Sequence, residues 1–214
     1  MPYRRLLRWI TGLFRLKKSI KIGIYGPPNS GKTSLANRII ADFVGSGEWK
    51  VSPIPHETRR VQSMREVVLR SGGKTLTIDL FDMPGITTRD ELHSDYFDEF
   101  ILSGMNEDEA KKRLDEATEG IKEAVSHMRR IDGAVVVLDS TKNPYNRVNA
   151  LLLGVLRANN VKVIVAANKI DLSEADAGKV RRALHKYPVV EISCTDGTNM
   201  EKLYESIIEH MHGK

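Results

Sequence analysis

The residues whose types and spacing point most directly to chemistry are 26–33, which read Gly-Pro-Pro-Asn-Ser-Gly-Lys-Thr. They match the pattern G-x-x-x-x-G-K-[ST] of phosphate-binding loops. Gly26 and Gly31 let the chain turn tightly enough for backbone N–H groups to point at phosphate oxygens. The Lys32 amine can reach β- and γ-phosphates, and the Thr33 hydroxyl can ligate Mg²⁺. The segment therefore predicts a nucleotide-phosphate site that comprises Gly26, Asn29, Ser30, Gly31, Lys32, Thr33 and Ser34.

A second set of residues, Asp82-Met83-Pro84-Gly85, follows a predicted strand at 74–81. A carboxylate at a strand end beside a phosphate loop can hold Mg²⁺ through water. Gly85 leaves its N–H free to approach a γ-phosphate. We predict that Asp82 belongs to a metal site and that Gly85 contacts the terminal phosphate.

A third set, Asn168-Lys169-Ile170-Asp171, follows another apolar run of strand length. The Asp171 carboxylate can accept hydrogen bonds from the ring N–H and the exocyclic amine of guanine, a pattern that adenine lacks. Unpaired polar groups make the rejection of the wrong base large. Lys169 can lie along the base plane, and Asn168 can brace the loop. These residues predict a guanine site.

The elements that must position these motifs can be read from the remaining pattern. Short β-branched runs alternate with helical patterns from Ser19 onward, as in parallel-sheet α/β folds. Strands are predicted at 20–25, 65–70, 74–81, 133–139, 161–167 and 189–192, and helices at 32–43, 146–158, 174–185 and 199–211. In such doubly wound folds the ligands bind at the carboxyl ends of the strands, where all three motifs lie.

Residues 89–130 form an acidic stretch between two predicted strands. Apolar residues recur there at helical intervals, and Gly104 interrupts the pattern. Asn106 and Glu109 have the spacing of a capping box, which predicts a helix start. The stretch is interpreted as two amphipathic helices packed on the body, with a partner-docking surface as the alternative.

Taken together, the three motifs resemble those of the translation-factor-related GTPases, and within them the Era/TrmE/EngA-like branch. The resemblance covers about residues 19–212. It implies a P-loop GTPase domain: a mostly parallel six-stranded sheet with one antiparallel edge strand and helices on both faces. It also implies that Ser193, Cys194 and Thr195 form the loop that contacts the guanine through backbone groups, and that Thr58 is the switch threonine that closes on Mg²⁺ and the γ-phosphate.

The activity implied by the resemblance is Mg²⁺-dependent hydrolysis of GTP to GDP and phosphate, in a molecular switch that is slow without a partner. The implied catalytic residues are Lys32, Thr58 and Gly85, and the implied Mg²⁺ residues are Thr33, Thr58 and Asp82. Asn29 matches the asparagine that the branch associates with K⁺ beside the phosphates. Where many relatives carry a catalytic glutamine, this chain has Ile86, which cannot orient water.

A second hypothesis is a nucleotide-gated binding or assembly module, at a membrane surface or ribosome, with negligible hydrolysis of its own. Ile86 and the stretch 89–130 favour it. The chain stops at Lys214, so we expect no RNA-binding KH domain of the kind that follows the GTPase domain in Era.

The composition of the chain limits the kinds of site it can contain and shows where its positive charge lies. The chain has 214 residues, 41% of them hydrophobic, and a single cysteine, which excludes a disulfide scaffold and any cysteine-rich metal centre. The formal net charge is +5, but residues 1–18 alone carry six bases and no acid. These bases are Arg4, Arg5, Arg8, Arg15, Lys17 and Lys18.

On a helix, most of these bases gather on one side and apolar residues on the other. We therefore predict that 1–18 is a basic amphipathic helix preceding a GTPase domain at 19–214. Its partner can be an anionic membrane surface, its own domain or another protein, or RNA. No apolar run approaches the roughly 20 residues that span a bilayer. We expect a cytoplasmic protein, with the inner face of the membrane as a peripheral site.

Overall fold

A computed structural model describes residues 19–45, 60–88, 98, 100–102 and 104–211. The amphipathic helix predicted at 1–18, the switch threonine Thr58 and the first part of the helical pattern at 89–97 lie outside the described residues.

The described residues form a central sheet with helices packed on both sides. The strands are β1 (Ile20–Tyr25), β2 (Gln62–Ser71), β3 (Lys74–Asp82), β4 (Gly133–Asp139), β5 (Lys162–Asn168) and β6 (Val189–Glu191). The helices are α1 (Lys32–Phe43), α2 (Glu107–His127), α3 (Arg147–Ala158), α4 (Ala177–Ala183) and α5 (Met200–Met211). The strand order is β2-β3-β1-β4-β5-β6, and only the β2–β3 pair is antiparallel. The predicted sheet is confirmed.

Both faces of the inner strands are covered, which explains their continuous apolar sequences. Successive side chains alternate between the faces: Ile22 and Ile24 pack in one cluster with α1 and α5, whereas Tyr25 packs in the other with α2, α3 and α4. Burial on both sides leaves the strand ends as the places where polar side chains can meet.

Two predicted elements, β2 and α4, have an end that differs by more than one residue from the structure. β2 begins at Gln62 and passes through a bulge, where Glu66 has φ 57° and donates its N–H to Asp79 Oδ1 at 3.1 Å. α4 is shorter than predicted because Asp176 caps it, accepting from the Lys179 N–H at 2.8 Å.

The capping box that begins α2 is confirmed. Asn106 accepts from the Glu109 N–H at 2.9 Å, and the Glu109 carboxylate accepts from the Asn106 N–H at 3.0 Å. The α2 side chains Ala110 and Leu114 pack with the buried ring of Phe100. None of the helices in the described ranges is long and apolar enough to cross a membrane.

Strand register brings the ends of the motif-bearing strands to the same edge. Ile24 of β1 pairs with Asp82 of β3, and Asp139 of β4 pairs with Asn168 of β5. The loops that follow β1, β3, β4 and β5 therefore leave the sheet side by side. This edge is where the candidate site lies.

Candidate nucleotide-binding site

The loop between β1 and α1 has the backbone of a phosphate cradle. Asn29 and Gly31 take left-handed conformations, with φ 58° and 98°. The Lys32 amine turns back over the loop and donates to Pro27 O at 2.9 Å. Burial lowers the pKa of Lys32 to about 8, against the opposing effect of the Asp82 charge. The buried amine is thus held inside the loop by a carbonyl, in a position to meet phosphate oxygens.

Gly31 is required by its surroundings as well as by its backbone angle. A Cβ at this position would lie 2.2 Å from Asn168 Nδ2. The phosphate loop therefore presses directly on the start of the predicted base-recognition segment.

A metal site is suggested by the contact between α1 and the end of β3. The Thr33 hydroxyl donates to Asp82 Oδ2 at 2.7 Å. Asp82 is fully buried, and its Oδ1 makes no hydrogen bond with the described residues. Burial raises the pKa of Asp82 to about 6, although the Thr33 hydrogen bond and the Lys32 charge lower it. A hydroxyl and a carboxylate with a spare oxygen are suitable ligands for Mg²⁺, directly or through water.

The loop after Asp82 packs against the phosphate loop. A Cβ on Gly85 would lie 3.0 Å from the Pro28 backbone, and the Ile86 N–H donates to Gly26 O at 3.1 Å. The Ile86 side chain is 3% exposed and belongs to the core cluster that includes Ala124 of α2. The Ile86 side chain, at the position where the resemblance implies a catalytic glutamine in many relatives, therefore points into the protein core.

The base-recognition segment is tied to the phosphate loop by one buried amide. Asn168 donates from Nδ2 to Ser30 O at 2.9 Å and accepts at Oδ1 from the Cys194 N–H at 3.1 Å. The predicted bracing role of Asn168 thus has a specific geometry. Asp171 is exposed in the same loop, where its carboxylate is accessible to a base.

The loop after β6 contains Ser193, which is buried, Cys194, and Thr195, which is exposed. Burial raises the pKa of the Cys194 thiol to about 12, with a smaller lowering effect from Arg38 and a raising effect from Asp171. The interloop contact is made by the backbone N–H of Cys194, which donates to Asn168 Oδ1.

Two residues at this site were missed by the sequence-based predictions. Asp139 at the end of β4 accepts from the Lys169 amine at 2.6 Å. Arg38 of α1 lies so close to Gly197 that a Cβ there would be 2.5 Å from the guanidinium. Asp139 could have been predicted as a site residue, because it ends an apolar strand as the other motif residues do. Nothing in the sequence indicated the Arg38 contact.

The comparisons with known proteins agree with this architecture. Residues 21–169 match the family described as 50S ribosome-binding GTPase, and the chain therefore belongs to this family. GTPase Era of Rickettsia bellii is 29% identical over 200 residues, which cover 90% of this chain and 56% of the relative. GTPase Der of Campylobacter hominis is 27% identical over 209 residues, covering 92% of this chain and 37% of the relative. The chain spans about half the length, or less, of these curated relatives.

Solved structures support the fold. A crystal structure of Era in complex with MgGDPNP and a segment of 16S ribosomal RNA superposes with TM-score 0.66 at 20% identity, covering 92% of this chain and 58% of that one. A variant of Aquifex aeolicus Era bound to GDP and AlF₄⁻ gives TM-score 0.62 at 19% identity, covering 91% and 57%. This chain therefore has the fold of Era's GTPase domain.

Proposed function

We propose that this protein binds GTP and hydrolyses it to GDP and phosphate, with Mg²⁺, as a molecular switch. The observation that carries the proposal is the Asn168 side chain, which joins the phosphate loop at Ser30 to the base loop at Cys194. A single buried group thereby joins the phosphate loop to the two loops proposed to bind the base. Membership of a GTPase family supports the same activity.

The proposed roles follow from the chemistry of each side chain. Lys32 and the loop N–H groups hold the phosphates, and Gly85 contacts the γ-phosphate through its N–H. Thr33 and Asp82, joined by the switch threonine Thr58, would hold Mg²⁺. When bound, this ion neutralises phosphate charge during phosphoryl transfer.

Selection of the base is assigned to the loops after β5 and β6. The Asp171 carboxylate accepts from the guanine N–H groups, and the stem of Lys169 lies along the ring. The backbone of Ser193, Cys194 and Thr195 closes the other side. Adenine presents the wrong pattern to Asp171 and is rejected.

Hydrolysis is proposed to be slow without assistance, because the buried Ile86 side chain cannot orient the attacking water. K⁺ at Asn29 is one proposed source of the missing positive charge near the phosphates. The same burial supports a second candidate function, a nucleotide-gated assembly module with negligible intrinsic turnover.

The partner surfaces are proposed from the sequence. Residues 1–18 would contact an anionic membrane surface, RNA, the chain's own domain or another protein. Residues 89–130 and the switch regions, which contain Thr58 and 82–85, would contact an effector protein. A relative that binds 16S ribosomal RNA makes a ribosomal partner worth testing first. We place the protein in the cytoplasm.

The nucleotide assignment is tested by titration with fluorescent GTP and GDP analogues. Lys32→Ala removes a charge-assisted contact and should weaken GTP binding by about 10- to 100-fold. Lys162→Ala is the matched control, because that amine donates to His210 O, away from the site. Unchanged affinity in Lys32→Ala would overturn the phosphate assignment.

The base assignment is tested by Asp171→Asn, which replaces the acceptor that pairs with the guanine N–H groups. The preference for GTP over xanthosine triphosphate should fall by about tenfold or more. An unchanged preference would refute the role of Asp171.

The two functional candidates are separated by measuring turnover with K⁺ or Na⁺, and with or without purified ribosomal subunits. Turnover that is faster in K⁺ than in Na⁺ without ribosomal subunits supports the GTPase function and the K⁺ site at Asn29. Turnover that is undetectable until a partner is added supports the assembly module, and equal rates in the two salts refute the K⁺ role.

A further inference from the structure

The end of β4 carries a carboxylate whose orientation is fixed by its own loop. Asp139 Oδ1 accepts from the Thr141 N–H at 2.9 Å and from the Thr141 hydroxyl at 2.7 Å. The other oxygen, Oδ2, accepts from the Lys169 amine at 2.6 Å. Both carboxylate oxygens therefore accept hydrogen bonds, and only the bond to Oδ2 comes from the lysine.

The carboxylate is charged and shielded from water. Its side chain is 11% exposed and that of Lys169 is 30% exposed. Burial raises the pKa of Asp139, but the hydrogen bonds from Lys169 and Thr141 and the lysine charge outweigh burial and leave the pKa below its usual value. Because the pair is partly buried, solvent and salt screen it less than an ion pair on the open surface.

The backbone of Lys169 is consistent with a side chain held in one direction. Lys169 has φ 69°, a left-handed conformation that non-glycine residues adopt rarely. Asn168, the residue before Lys169, lies opposite Asp139 in the pairing of β4 with β5. The Lys169 side chain therefore turns back across the end of β4 to bring its amine to Asp139. A free lysine loses substantial rotamer entropy when a ligand orders it.

We infer that Asp139, itself oriented by Thr141, is a positioning residue for guanine recognition: it holds the Lys169 stem against the base site before the nucleotide arrives. The inference rests on the proposed function, since it concerns how the same site prepares for its base. The binding energy that ordering Lys169 would otherwise consume is then available to the nucleotide.

A positioning role for Asp139 and simple electrostatics predict opposite effects of Asp139→Asn on GDP affinity. Asp139→Asn adds one unit of positive charge near an anionic ligand, which by itself favours nucleotide binding. If Asp139 positions Lys169, the variant should instead raise the dissociation constant for GDP by about 3- to 10-fold. Asp132→Asn is the control, because it makes the same change of charge away from the site. Asp132 lies just before the start of β4 and accepts from the Lys21 N–H.

The deciding experiment is a double-mutant cycle on GDP affinity, measured by titration calorimetry on the full chain. Asp139→Asn should no longer weaken GDP binding once Lys169→Met is present, because the weakening passes through the lysine and only the favourable charge effect remains. Additive effects would overturn the inference, as would tighter binding in Asp139→Asn alone.

Two further measurements keep the outcome decisive. Thr141→Val keeps the Asp139 charge but removes one of its two fixing donors, so it should weaken GDP binding in the same direction by a smaller factor, and unaltered affinity would contradict the inference. If the unsubstituted protein fails to bind GDP, the proposed function fails. If it binds GDP and the cycle is additive, only the positioning role fails.

Discussion

Removing the Asn168 side chain should separate the two halves of the nucleotide site. Asn168→Ala deletes the amide that donates to Ser30 O and accepts from the Cys194 N–H. Asn168 is 3% exposed, so water cannot easily replace either hydrogen bond. The phosphate loop and the base loop would then be held together only by their remaining contacts and by the sheet.

The cost can be worked from the groups left behind. A buried polar group without its partner costs about 1–3 kcal/mol, and two such groups remain in Asn168→Ala. Allowing for relaxation of the loops, the free energy of unfolding should fall by about 2–4 kcal/mol. The affinity for GDP should fall by about tenfold or more, because the nucleotide must now order both loops.

Asn149 provides a matched control within the same chain. It is 4% exposed and donates from Nδ2 to Pro144 O at 3.0 Å, but it lies on α3. Asn149→Ala should lower stability by about 1–3 kcal/mol and leave GDP affinity within about twofold.

Urea unfolding and GDP titration, performed where all the proteins are folded, separate the two effects. If Asn168→Ala and Asn149→Ala lose comparable stability and both retain GDP affinity, Asn168 is a packing residue and the bridging argument is wrong.

Two other predictions follow from the site. Gly31→Ala should weaken GDP binding by about tenfold or more, because its Cβ would lie 2.2 Å from the buried Asn168 Nδ2 that donates to Ser30 O. Gly73→Ala also has a positive φ but nothing within 4 Å of the added Cβ, so it should not weaken GDP binding, and equal affinities in the two variants would refute this prediction. In the nucleotide-free protein, Asp82 should contribute a loss of stability as pH rises from about 4 to 6, because its folded pKa of about 6 lets it keep a proton that the unfolded chain releases near 3.8. Asp82→Asn should remove this component of the pH dependence in urea unfolding, and identical profiles would contradict the assigned pKa shift.

Much of the fold could be predicted because its signals are local. Ile20–Tyr25 and Lys32–Phe43 have the predicted bounds, since a continuous apolar run is typical of a buried parallel strand and a glycine-rich turn begins the helix. The missed details were the bulge at Glu66 and the cap at Asp176, both of which depend on where particular side chains find partners.

The sequence by itself was enough to predict a class of ligand, because each motif carries its chemistry in adjacent residues: an amine and a hydroxyl after a glycine loop, and a carboxylate after a strand. Only the tertiary structure decided how these motifs work together. The Asn168 bridge, the Asp139–Lys169 pair and the burial of Ile86 join residues 26 to 138 positions apart, and they depend on strand register and on which helix covers each face. The sequence places Asn168 and Asp139 at strand ends, but it does not say which residues they contact, because those partners are set by packing across the sheet.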